Sequence, residues 1–168
     1  TEPADTQSKR PSLTIGESIV IGKHSEDGRT ESFLGIPFAQ PPVGDLRWAP
    51  PVAFTHSKDT FLADNFAPAC MQGSRITQWY KNVVQGFGGD PRVVIAPKVS
   101  EDCLYLNIWR PTTSSHTDDP LLPIIVYIHG GSNKAGWSYE PNYIGKNMAT
   151  DGVIVISIAY RLGAFGYF

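Results

Sequence analysis

The segment LPIIVYIHGGS, residues 122–132, carries the clearest fold signal in the sequence. Its first part is short, continuous and rich in β-branched residues, which is typical of a strand buried on both faces of a mainly parallel sheet. A similar run occupies residues 153–158, after a predicted short helix over residues 141–150 and an Asp151-Gly152 turn. The order strand, helix, strand predicts a βαβ unit.

The residues before this unit predict a strand-rich first part of the chain. Apolar residues in segments 13–21 and 30–36 flank the turn signal Glu26-Asp27-Gly28, which indicates an antiparallel β-hairpin. Residues 37–44 contain three prolines and a glycine, and therefore predict a rigid, extended connection. In residues 103–111, aliphatic residues alternate with polar or aromatic ones, as on the two faces of a strand.

The two cysteines, Cys70 and Cys103, enclose a long segment interrupted by glycine and proline. A segment of this length without clear periodicity predicts an Ω-like loop or a lid. An even count of cysteines is compatible with one disulfide and equally with two buried thiols, and the spacing alone leaves both open. If the two thiols pair, the chain-entropy model gives a stabilisation of about 4 kcal/mol.

Composition limits the classes of partner. The chain has 168 residues, 41% of them hydrophobic, and a formal net charge of −2. These values predict a folded domain and argue against a nucleic-acid partner. Residues 1–12 are polar and contain Pro3 and Pro11, which predicts a flexible N-terminus before a domain over residues 13–168. The apolar runs are much shorter than the roughly 20 residues of a membrane span, so none is expected.

The candidate chemistry lies at Gly130-Gly131-Ser132, directly after the first buried strand. Ligands of open α/β sheets bind at the carboxyl ends of the strands. Backbone N–H groups there could form an oxyanion hole, which stabilises the charge that acyl transfer places on a carbonyl oxygen. The alternative is an ordinary tight turn. His129 could act as a base, but a hydrogen-bonded structural histidine is the preferred interpretation because the chain offers no nucleophile for it.

Four motifs extend this interpretation beyond the glycine pair. They are FLGIPFA (33–39) with PPVG (41–44) and LRW (46–48), SEDCLYLN (100–107), HGG (129–131), and YRLGAFG (160–166). Together they resemble, in the same order, the signatures of the type B carboxylesterase, cholinesterase and fungal lipase family. The resemblance covers residues 13–168.

The resemblance implies an α/β-hydrolase fold, of which this chain would be the N-terminal part. A large, mostly parallel mixed sheet would carry an antiparallel N-terminal hairpin. The family places a disulfide between positions matching Cys70 and Cys103, and an ion pair between positions matching Arg47 and Glu101. Its oxyanion donors would be the backbone N–H groups of Gly131 and Ser132. Arg161 would be a buried scaffold residue.

One departure from the family pattern and one missing motif bear on function. Ser132 and Asn133 stand where relatives have a small residue and an aromatic one, which predicts a more polar wall beside the oxyanion hole. The nucleophile elbow Gly-x-Ser-x-Gly does not occur in the sequence. We therefore expect the Ser, Glu or Asp, and His triad on a companion chain or on a missing C-terminal portion.

The family also implies the remaining expectations. The enzyme would be a secreted carboxylic ester hydrolase that acts on small-molecule or lipid esters without a metal or an organic cofactor. Trp79, Tyr80, Phe87 and Asn133 could line the gorge that leads to the site, although ordinary packing is the preferred explanation for each aromatic residue taken singly. The alternative function is a catalytically silent adhesion or binding protein on the same fold.

Overall fold

The computed structural model describes residues 10–112 and 121–167. The strands are β1 (Ser12–Ile15), β2 (Ser18–Ile21), β3 (Lys23–His24), β4 (Thr30–Pro37), β5 (Thr60–Leu62), β6 (Ala69–Cys70), β7 (Val99–Ser100), β8 (Tyr105–Pro111), β9 (Ile124–Ile128) and β10 (Ile154–Ile158). The α-helices are α1 (Arg75–Gly86) and α2 (Lys146–Ala149). Short 3₁₀ turns occur at Gly44–Leu46, Pro91–Val93, Pro141–Tyr143 and Gly163–Phe165.

The main sheet has five strands in the order β3-β4-β8-β10-β9. β9 and β10 pair in parallel, whereas β4 pairs antiparallel with β8 and β8 antiparallel with β10. The parallel pair and α2 between its strands form the predicted βαβ unit, although α2 has only four residues. A small sheet, β1-β2-β5, and the pair β6-β7 lie beside the main sheet.

The burial predicted for β9 is wrong for the described residues. Its side chains are largely exposed, with Ile128 at 62% and Ile124 at 59%. β9 is the last strand of the sheet and pairs with β10 only. Its apolar sequence fits two covered faces, but burial depends on what lies against the strand, and the described residues do not cover it.

The N-terminal hairpin is present and has more parts than the sequence indicated. β3 and β4 pair antiparallel, with Lys23 opposite Ser32, across the predicted turn, where Gly28 has a φ of +68°. The preceding segment is not one strand, because Gly16, with a φ of +58°, turns the chain between β1 and β2. An antiparallel hairpin across the predicted turn is therefore confirmed, but its first strand is β3 and not the predicted segment 13–21, which forms a separate hairpin in the small sheet.

The flexible N-terminus predicted over residues 1–12 extends too far. Residues 1–9 lie outside the described residues. Arg10 already belongs to the fold, because its guanidinium donates to the Gly22 carbonyl at 2.9 Å and pairs with Asp64 at 2.7 Å. Ser12 opens β1.

The disulfide loop, residues 70–103, is more ordered than the predicted Ω-like loop because it contains the 12-residue helix α1. Ile76, Tyr80 and Val84, at helical spacing, pack in a cluster that includes Trp137. The helix therefore buries one face against the segment that follows β9.

A buried network of hydrogen bonds connects three strands of the main sheet. The Asn107 amide on β8 donates to Ser157 Oγ on β10 at 3.1 Å and to Ser138 Oγ at 3.2 Å. Its oxygen accepts the N–H of Gly35, which lies where the β4–β8 register shifts. Asn107, Ser138 and Ser157 are buried, so their mutual hydrogen bonds replace those that water would make.

We predict that Asn107→Ala in the complete protein lowers the free energy of unfolding by about 2–4 kcal/mol, because it leaves the Gly35 N–H and a serine hydroxyl without their partner. Urea unfolding followed by tryptophan fluorescence measures the change. Asn82→Ala, on the exposed side of α1, is the matched control and should change it by less than about 0.5 kcal/mol. Equal effects of the two substitutions would contradict the prediction.

Candidate functional site

The turn over residues 129–136, which follows β9, has an unusual backbone. Gly131, Ser132 and Asn133 have φ values of +126°, +55° and +58°. A side chain at Gly131 would overlap the carbonyl oxygen of Ala135, so only glycine fits there. Non-glycine residues with positive φ store strain of order 1–3 kcal/mol each, and such strain is concentrated at functional sites.

The hydrogen bonds of this turn orient two N–H groups. The Gly131 carbonyl accepts the N–H groups of Lys134 at 3.1 Å and Ala135 at 3.2 Å. In a planar trans peptide the next N–H points the opposite way, so the Ser132 N–H is directed out of the turn. The Gly130 carbonyl accepts from His129 Nδ1 at 2.9 Å, so the Gly131 N–H of the same peptide points away from the His129 ring. Neither N–H donates to another described residue.

A cavity of about 310 Å³ opens beside the turn. One wall is the face of α1 and the other includes the glycines that follow β9. Its lining residues are Arg75, Ile76, Trp79, Tyr80, Gly130, Gly131, Glu140 and Tyr143. A polar backbone edge therefore faces an aromatic and aliphatic wall, which is the usual composition of a small-molecule pocket.

Only some of the sequence-predicted site residues meet at this cavity. Trp79 and Tyr80 line it together with Gly131. Phe87 is 92% exposed just after α1 ends and is not among the lining residues. Asn133 is also outside the lining; it is exposed, and its carbonyl accepts the N–H of Gly163.

Glu140 is a site residue that the sequence did not single out. Its carboxylate is buried, accepts the Tyr80 hydroxyl at 2.6 Å and accepts the Trp137 N–H at 3.1 Å. Burial, and then this hydrogen bond, raise the pKa of Tyr80, so its hydroxyl stays protonated and donates. No sequence pattern could have revealed the pair, because its members are 60 positions apart and meet only in the folded chain.

Gln72 is a second residue of this kind. Its amide donates to the Gly136 carbonyl at 2.7 Å, and its oxygen accepts the Gly136 N–H at 2.8 Å. The same amide nitrogen also donates to the Cys70 carbonyl at 3.2 Å. Gln72 therefore joins the base of the disulfide loop to the end of the turn.

His129 is buried, and its ring forms a hydrogen bond within the turn. Its ring stacks on Tyr160 with centroids 4.4 Å apart, and the Tyr160 hydroxyl donates to the His129 carbonyl at 2.6 Å. Burial lowers the pKa of His129, so the imidazole is neutral and its Nδ1 donates to the Gly130 carbonyl. These contacts agree with the preferred interpretation of a structural histidine.

The cysteines and the ion pair lie together at the base of the disulfide loop, apart from the 310 Å³ cavity. Cys70 and Cys103 form a disulfide and are both buried. Arg47 and Glu101 form a bidentate pair with nitrogen–oxygen distances of 2.6 and 2.7 Å. The Arg161 guanidinium beside them donates to the Ala49 carbonyl at 2.9 Å. The structure thus brings these groups together away from the cavity.

The chain is similar to proteins of a known family. The model of the carboxylesterase family matches residues 9–168. The chain belongs to the carboxylesterase family. Fumonisin B1 esterase of Sphingopyxis macrogoltabida is 38% identical over 84% of the chain, and lipase 2 of Geotrichum candidum is 38% identical over 96%.

Solved structures confirm the predicted α/β-hydrolase fold. A thermophilic PNB esterase superposes with a TM-score of 0.77 at 33% identity over 94% of the chain. The chain covers 29% of that esterase, 23% of the fumonisin esterase and 30% of the lipase. It therefore spans less than a third of the length of each. Among the described residues, no helix has the length and apolarity needed to cross a membrane.

We predict that the buried His129 makes stability fall with acidification. Its pKa is lowered in the folded state, so below the ordinary value of about 6.5 the unfolded chain binds the proton more readily than the folded one. The free energy of unfolding should decline as pH falls from 7.5 to 5, and less steeply for His129→Asn, whose amide can still donate to Gly130. Urea midpoints across this range measure both slopes, and equal slopes would contradict the assignment.

Proposed function

We propose that this chain is the N-terminal part of a serine carboxylic ester hydrolase of the carboxylesterase or lipase type. The observation that carries the proposal is that the N–H groups of Gly131 and Ser132 have no acceptor among the described residues, while the carbonyls before them are turned into the fold. Two adjacent donors without acceptors, of which Gly131 lines the cavity, suit an oxyanion. Membership of the carboxylesterase family and the esterase and lipase relatives support the same reaction class.

The proposed reaction is a two-step acyl transfer. A serine hydroxyl attacks the ester carbonyl and passes its proton to histidine, while Gly131 and Ser132 donate to the oxygen that becomes negative. The ester C–O bond then breaks, and the alcohol leaves with that proton. Water then attacks the carbonyl carbon of the acyl-serine, and the oxyanion hole again binds the oxygen that becomes negative. This step releases the carboxylic acid and restores the serine.

The serine, histidine and acidic residue would come from further polypeptide, either a continuation of this chain or a companion chain bound to it. Two observations support this step. The chain spans less than a third of the relatives described above. The outer edge of β9 and its apolar side chains, such as Val126 and Ile128, are uncovered by the described residues. A strand paired with β9 would satisfy that edge and bury those side chains.

The cavity suggests the substrate class and the compartment. Trp79, which is 54% exposed, and Ile76 offer an apolar wall, so we propose a small-molecule or lipid ester with an apolar portion. Disulfides persist mainly in oxidising compartments, so the Cys70–Cys103 bond supports a secreted protein.

We predict that the complete protein releases a stoichiometric burst of nitrophenol from p-nitrophenyl butyrate, because the acyl-enzyme accumulates before water cleaves it. Stopped-flow absorbance measures the burst. An organophosphate should abolish both the burst and turnover by modifying one serine per molecule.

The same experiment separates the alternative function. A catalytically silent binding protein would show neither a burst nor organophosphate labelling. Mass spectrometry of the labelled protein under denaturing conditions should place the modification in a Gly-x-Ser-x-Gly sequence outside residues 1–168. If no such peptide accompanies these residues, the proposed completion of the site is wrong.

We further predict that Gly131→Ala lowers kcat by about 10²–10³-fold, the usual cost of a lost oxyanion donor. The added methyl group would collide with the Ala135 carbonyl and turn the 131–132 peptide. Gly28→Ala is the control: it also places alanine at positive φ, but the methyl group meets no atom within 4 Å. A similar fall in kcat for both variants would contradict a specific role of Gly131.

A further inference from the structure

The disulfide loop contacts the turn over residues 129–136 at Gly136. The Gln72 side chain makes two opposed hydrogen bonds to Gly136, as a neighbouring strand would make to a backbone. Gln72 is itself fixed, because its amide nitrogen also donates to the carbonyl of Cys70 in the disulfide. An anchored side chain thus replaces water at a buried glycine of the turn.

Gly136 packs against the backbone that carries the candidate oxyanion donors. It lies directly against the far side of the turn, since a methyl group placed on it would overlap the Gly130 carbonyl and the His129 ring. Ala135, its neighbour, donates its N–H to the Gly131 carbonyl. A shift of Gly136 would therefore move the Gly130 and Gly131 carbonyls, which orient the N–H groups of the next residues.

We propose that Gln72 is a positioning residue for the oxyanion hole: its amide fixes Gly136 and thereby the direction of the Gly131 and Ser132 N–H groups. The inference rests on the proposed function, because it assigns Gln72 an effect on the same reaction. Gln72 is not in the lining of the 310 Å³ cavity, so its influence passes through the turn.

A second contact couples the same two segments. The Tyr80 hydroxyl on α1 donates to Glu140, whose other carboxylate oxygen accepts the N–H of Trp137, the residue after Gly136. Side chains therefore hold two consecutive residues, because Gln72 bonds to Gly136 and Glu140 accepts from Trp137. Gln72 and Tyr80, the partner of Glu140, both belong to the disulfide loop. Tyr80 also lines the cavity, so Gln72 is the cleaner position for a test.

The test compares Gln72→Met with Gln78→Met in the complete protein. Methionine keeps the length and volume of glutamine but cannot form the paired hydrogen bonds. Gln78 is the matched control, because it lies in the same loop on the exposed side of α1 and bonds only to Asn82 among the described residues. Active sites are counted by organophosphate titration, so that kcat refers to folded, competent molecules only.

For Gln72→Met we expect kcat per titrated site on p-nitrophenyl butyrate to fall about ten- to hundred-fold, with KM changed less than threefold, because misplaced donors weaken transition-state binding in particular. The affinity for an aryl trifluoromethyl ketone, which forms a tetrahedral oxyanion on the serine, should fall by a similar factor. Gln78→Met should leave kcat, KM and this affinity unchanged.

A purely structural role would lower the fraction of titratable sites or the melting temperature and leave kcat per site and ketone affinity at their wild-type values; this result would overturn the proposal. Gln72→Glu gives a second reading if the methionine variant does not fold. Its carboxylate accepts from the Gly136 N–H but faces the Gly136 carbonyl without a donor, so the same losses are expected. Absence of hydrolysis in the wild-type protein would instead refute the proposed function.

Discussion

The carbonyl of Gly131 faces into its own turn and accepts two N–H groups, and the direction of the Ser132 N–H follows from that orientation through the planarity of one peptide bond. The arrangement requires a residue without a side chain, because any Cβ at Gly131 would occupy the space of the Ala135 carbonyl. The chemistry proposed for the chain therefore depends on backbone geometry. Side chains contribute by holding that geometry in place.

That support comes from distant parts of the sequence. Gln72 reaches the turn from the disulfide loop, and Tyr80 of the same loop reaches Glu140 just after it. Tyr160 reaches the turn from the segment after β10. β9, from which the turn departs, is an edge strand in the described chain and has one neighbour. Side-chain contacts to residues 129–140 therefore restrain the turn from several directions.

The sequence predicted the features that arise from local patterns. Alternation identified β8, the continuous apolar runs identified β9 and β10, and the Glu26-Asp27-Gly28 turn identified a hairpin. Helix α1 was missed although Ile76, Tyr80 and Val84 recur at helical spacing, because flanking glycines and prolines suggested a loop. The exposure of β9 and the contacts of Gln72 and Glu140 could not be predicted, since they depend on which distant segments lie nearby.

The departure from the family pattern at Ser132 and Asn133 concerns backbone conformation more than polarity. Both residues have positive φ, which asparagine tolerates better than most residues, and both are exposed and outside the lining of the cavity. Their side chains therefore change the wall of the cavity less than the sequence suggested. The N–H of Ser132 belongs to the backbone and keeps its direction for any side chain that accepts a φ near +55°. An oxyanion donor at this position is accordingly compatible with a residue that is unusual for the family.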